Sequence, residues 1–78
     1  MSRPLSTIAR EIRANWIKPY FGAVPYLDAM RSLNNVTDAF GYDSAASVVR
    51  YFLSNAATWR GPVARAVKAE LNAMLTHA

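Results

Sequence analysis

Cysteine is missing from this 78-residue chain, which removes a disulfide framework, a thiolate zinc site and a cysteine nucleophile together. Histidine is almost as scarce. The one copy, His77, stands a residue from the end, where chains fray, and a lone terminal imidazole organises neither a general-base site nor a metal site. Glycine occurs only at 22, 41 and 61, each isolated, so neither a phosphate-cradling loop nor a dinucleotide fingerprint is present. No serine lies in a Gly-x-Ser-x-Gly elbow, and no calcium-loop spacing occurs. There are five carboxylates. Asp38 and Asp43 read as helix-start residues and Asp28 and Glu70 as solvated partners of nearby Arg and Lys, so a carboxylate pair, Glu11 included, would have to be assembled by folding. The sequence therefore assigns no catalytic, cofactor-binding or metal residue, and the expectation is a protein that is not an enzyme and takes no small-molecule substrate. The longest fully apolar run is too short for a bilayer, and the N-terminus lacks the apolar core and cleavage site of a signal peptide. The cytoplasm of a cell or of an infected host is the expected location, with no membrane contact.

What the chain does have is apolar surface. Hydrophobic residues make up 53%, with two Trp, four Tyr and three Phe, too many for a disordered segment. A chain of this size forms one domain and buries only roughly 60 to 65% of its extended surface. Such richness has two outlets: a dense small core, or an apolar face shared with another molecule. The formal charge of +4 permits nucleic-acid binding but is modest for a dedicated basic binder.

Apolar spacing predicts an all-α fold, a compact bundle of four main helices plus one short helical turn, as a single domain over residues 1–78. Ser6 caps a first helix over about Thr7 to Ile17, with Leu5 as staple and Ile8, Ala9, Ile12 and Trp16 as its stripe. Lys18-Pro19 ends it. Pro19 to Pro25 is the least regular stretch, where Gly22 marks a turn or a close backbone approach. A second helix from about Ala23 or Pro25 to Leu33 packs Tyr26, Leu27, Met30 and Leu33. Asn35 with Asp38 reads as a cap for a short helix, Val36 to Phe40, stopped by Gly41. Asp43 or Ser44 caps the third helix, about Ser44 to Ala57, whose stripe is Ala45, Val48, Val49, Phe52, Leu53 and Ala56. Thr58 caps the fourth, with Trp59 to Pro62 in its first turn, or else the helix starts at Gly61. It continues to about Leu75 or Thr76 on a seam of Trp59, Val63, Val67, Leu71 and Met74. No strand is expected.

Two surfaces are candidates for function. On the side of the third helix opposite its stripe, Arg50 and Tyr51 stand among small residues, Ser47 and Ser54, a composition closer to an interface than to a random surface. With Tyr20 and Trp59 they make a protein-contact set, for a protein partner or for a homodimer. Tyr20, Phe21 and Tyr26 read either as a lid on the core or as an exposed aromatic contact patch, and the bland reading packs Tyr51 against the Tyr20-Phe21 segment. Ile17, opposite its own stripe, is a lesser exposed contact. The alternative is DNA binding. A very short turn between the third and fourth helices fits a helix-turn-helix, with Arg60, Arg65 and Lys68 on the outward side and Arg10 and Arg13 as a second basic edge.

The stretches Tyr20-Phe-Gly-Ala-Val-Pro-Tyr-Leu-Asp-Ala-Met30 and Tyr51-Phe-Leu-Ser-Asn-Ala-Ala-Thr-Trp-Arg-Gly61 resemble small uncharacterised proteins of actinobacterial phages and mobile elements. The resemblance carries over no catalytic or ligand residue. It implies a bacterial cytoplasm and action by binding a host or phage macromolecule.

Overall fold

Four stretches carry apolar residues at helical spacing, and each becomes a helix: α1 (Leu5–Asn15), α2 (Val24–Met30), α3 (Ala45–Ser54) and α4 (Pro62–Thr76). The computed structural model describes residues 3–40 and 43–76. The expected helix stop at Gly41 and the terminal His77 lie outside those residues. Helix α1 packs on α2 and α4, α2 packs on α3, and α3 touches α4. This is a compact all-α bundle, with a radius of gyration of 11.2 Å against about 11.5 Å for an average domain of this length.

How the helices start is where sequence and structure part. Pro4, not Ser6, occupies the N-cap of α1, and its carbonyl accepts from Thr7 and Ile8. The amides of Leu5 and Ser6 donate to the carbonyls of Asn34 and Leu33, at 2.9 and 2.8 Å. Backbone from beyond α2 thus closes the helix end, and no side-chain cap is needed. At the other end α1 stops at Asn15, short of Ile17. Trp16 leaves helical geometry, at φ −91° and ψ 89°, and its ring enters the core.

The segment after α2 holds the largest correction. Val36 to Phe40 is not a helix. A turn over Asn35 to Asp38 leads into a two-residue strand, β1 (Ala39–Phe40), which pairs antiparallel with β2 (Asp43–Ser44). Asp38 does not follow a capping asparagine into a helix. Its carboxylate turns back and accepts from the amides of Asn34 and Asn35, at 2.9 and 3.0 Å. The carbonyls of Asp38 and Val36 then accept from Ala45 and Ala46, so the same turn closes the first amides of α3. Ser44 completes that end, its hydroxyl accepting from the Ser47 amide at 3.1 Å as an N-cap should.

Helix α4 starts at Pro62, one residue after the later of the two expected starts. Gly61 before it has φ +113°, a conformation that side chains rarely adopt, and Pro62 supplies a preset φ at the first helical position. Helix α3 ends at Ser54 rather than Ala57. The α3–α4 connection therefore runs seven residues, Asn55 to Gly61, not a very short turn.

The core gathers the predicted stripes. Leu5, Ile8, Ala9 and Ile12 of α1 meet Leu27 and Met30 of α2, Ala45, Val48, Val49 and Phe52 of α3, and Val67, Leu71 and Met74 of α4. On α4 Ala64 is also buried, and Val63 of the expected seam packs half-buried against the same core. Trp16 meets Phe52 edge-on, with centroids 6.4 Å apart, and stacks on Trp59 at 5.7 Å and 12°. No polar or charged side chain is buried among the described residues.

Candidate protein-interaction surface

With that core closed, four large apolar side chains remain outside among the described residues: Ile17 (85% exposed), Phe21 (80%), Tyr51 (51%) and Tyr20 (44%). Three of them belong to one face, built by the turn before α2 and the end of α3. In that turn the Ala23 amide donates to the Tyr20 carbonyl at 2.9 Å, which throws Phe21 outward. Phe21 and Tyr20 touch, their centroids 4.8 Å apart and their planes tilted by 55°. Gly22 lets the turn lie close to α3. A β-carbon there would come within 2.6 Å of the Tyr20 ring and 2.8 Å of Asn55 Oδ1.

Asn55 fixes the other half of the face. It caps α3, and its side-chain amide donates to the Tyr51 carbonyl at 2.8 Å. Tyr51 itself leans on Tyr26 of α2, with centroids 5.5 Å apart, not on the Tyr20-Phe21 segment. Between Tyr20 and residues Ser54, Asn55, Ala57 and Thr58 lies an open recess of about 110 Å³. Arg50 is exposed one turn back along α3, its carbonyl accepting from the Ser54 hydroxyl. Tyr20, Phe21 and Tyr26 are thus no lid: two are exposed and Tyr26 is half-buried. Phe21 and Tyr20 follow the exposed-patch alternative instead, whereas the sequence reading did not single out Asn55. An asparagine closing a helical run, opposite a glycine-bearing aromatic turn, was the one signal that linked it to them.

Trp59 does not join this face. Only 3% of it is exposed. Its ring stacks on Trp16, and its indole N–H donates to Asn15 Oδ1 at 2.9 Å. A tryptophan expected to anchor a partner instead anchors the α3–α4 connection to the end of α1.

The basic set divides. Arg10, Arg13, Arg60 and Arg65 are exposed, but Lys68 is half-buried and donates to the Trp59 carbonyl at 2.7 Å, tying down the connection. That seven-residue connection also exceeds the three to four residues typical of a helix-turn-helix. Arg3, outside the predicted set, bridges α1 and α4: it reaches Glu70 at 2.6 and 3.2 Å and Glu11 at 2.8 Å. These three groups edge a shallow cleft of about 330 Å³ with Pro62, Val63, Ala66 and Val67. The Arg3 guanidinium holds the Glu70 carboxyl below the usual carboxylate range, and the backbone amides of Asn35 and Asn34 do the same for Asp38.

Among the described residues no group of three His, Cys, Asp or Glu is placed to hold a metal, and no helix is long and apolar enough to cross a membrane. No protein-family model, curated protein or solved structure matches this chain, so the functional reading rests on geometry.

Proposed function

We propose that this chain is a non-enzymatic protein-binding module whose contact surface is the face of Tyr20, Phe21 and Tyr51, rimmed by Arg50, Ser54 and Asn55. One observation carries the reading. Large aromatic rings stand 44 to 80% exposed on one face, while the remaining apolar stripes are shut in a closed core. Leaving such rings in water forgoes roughly 25 cal/mol for each Å² of apolar surface, a loss that a partner's coverage recovers. Aromatic anchors beside an arginine, among small uncharged residues, are the composition of interface centres. The resemblance to phage and mobile-element proteins supports a partner in a bacterial cytoplasm, that of a host or of a phage-infected cell.

The test is site-specific photocrosslinking in cells that make the protein, with a benzophenone amino acid at Tyr51 or, as control, at Ala69 on the exposed side of α4. Discrete protein adducts from position 51 that position 69 does not give are the expected result. An empty lane at 51, or the same adducts from both positions, ends the reading.

DNA binding is the second reading, favoured by the exposure of Arg10, Arg13, Arg60 and Arg65, none of which pairs with a carboxylate among the described residues. It requires duplex binding that weakens steeply with salt and that charge reversal at Arg60 and Arg65 abolishes. A duplex that stays unbound at low salt removes it.

A further inference from the structure

Resting on the protein-binding reading, we infer that the partner is a second copy of this chain, in a two-fold dimer where each Phe21 ring enters the other copy's recess beside Tyr20. The face presents a knob without a seat and a seat without a knob. Phe21 is 80% exposed at the crest of its turn, and the recess between Tyr20 and Asn55 is open to solvent. The two features adjoin, since the Tyr20 ring that touches Phe21 at 4.8 Å also forms one wall of the recess. In a two-fold contact, residue i of one copy meets j of the other while j meets i. A knob and a hole one ring apart therefore make a face complementary to itself.

Size and charge agree. The recess of about 110 Å³ is somewhat smaller than the ~150 Å³ closed cavity that takes up a whole benzene molecule, and being open it accepts the outer part of a phenyl ring. The recess residues and Phe21 are uncharged, so no like charges are forced together where the rings meet. A foreign peptide that filled the recess with one apolar side chain would still leave Phe21 in water, whereas a second copy covers both.

Area sets the strength. At the exposures above, and roughly 200 Å² for a fully exposed aromatic ring, Tyr20, Phe21 and Tyr51 present about 350 Å². That is nearly half of the ~800 Å² each partner gives to a standard interface, with Arg50, Ser54 and Thr58 available for the rim. Each copy has its own closed core, so the dimer comes apart into folded monomers.

Sedimentation equilibrium on the full chain, from about 1 µM to about 1 mM, tests this over the range where a small interface dissociates. The wild type is expected to pass from monomer to dimer. Phe21→Ala removes the knob and Ala57→Leu plugs the recess. Each alone should raise the dimer dissociation constant at least tenfold with a melting curve unchanged at concentrations where the wild type is monomeric, because both positions are exposed. Mixing the two variants restores one knob-and-hole pair, so the mixture should associate more tightly than either variant. A wild type that stays monomeric throughout, or variants that dimerise normally, overturns the dimer. The crosslinking experiment separates the two readings. An adduct of twice the chain's mass supports the dimer. Adducts of other masses alone overturn it but keep the protein-binding reading, and no adduct overturns both.

Discussion

A β-carbon at position 22 would crowd the Tyr20 ring and Asn55 Oδ1, whereas one at position 61 would meet nothing within 4 Å but would have to accept φ +113°. The two glycines fail in different ways when replaced. Gly22→Ala should push the half-exposed Tyr20 ring off its place and spoil the recess, lowering self-association in sedimentation while the melting temperature changes little. Gly61→Ala should do the reverse, destabilising by about 1–3 kcal/mol through backbone strain without loss of any contact. A D-alanine at 61, introduced by chemical synthesis, should restore the melting temperature, since that residue favours positive φ. Trp59 shows why residue-level reading misplaced a site member. Its position in the chain matched a helix start, but its burial depends on Trp16, 43 positions earlier, leaving the helix to stack on it. Nothing local to either residue records that pairing. The exposure of Tyr20 and Phe21 is set in the same way, by what α3 leaves uncovered.

At the scale of elements, the stripes were legible and the ends were not. Of the third-helix stripe, Ala45, Val48, Val49, Phe52 and Ala56 are buried and Leu53 packs half-buried against the same core. Periodicity reports which face a helix hides, and it survives an error of several residues in the boundary. The cap of α3 was legible to within a residue, Asp43 or Ser44, because its job is local, and Ser44 fills it. Ser44→Ala should cost about 1 kcal/mol of stability, read as a lower denaturant midpoint at unchanged slope. The turn at Asn35 to Asp38 was not legible. A short polar side chain before an acidic one serves a helix start or a backward-folding turn with the same residue types. What decides between them here is that the carbonyls of Val36 and Asp38 are wanted by α3.

The molecule as a whole is held at its surface by acid-sensitive contacts. Glu70 and Asp38 both have carboxyls held below their ordinary range, so each favours the folded state above the unfolded carboxylate value, near 4, and ceases to as pH falls through its folded value. The melting temperature should be flat from about pH 7 to 5 and fall below about pH 4. Glu70→Gln should flatten part of that fall, and a decline of unchanged steepness in the variant would show that the Arg3 bridge between α1 and α4 contributes nothing to it. These contacts lie on parts of the fold other than the aromatic face, so acid is expected to loosen the monomer before it addresses the dimer.

The hydrogen bonds that close the start of α1 come from residues 33 and 34. During synthesis, then, the first helix emerges from the ribosome well before the carbonyls that finish it. An 11-residue helix without its end closed is barely stable in water. The nascent chain should carry α1 only as a fraying segment until Asn34 is free of the exit tunnel, and the helix made first would be secured by the stretch that follows the second.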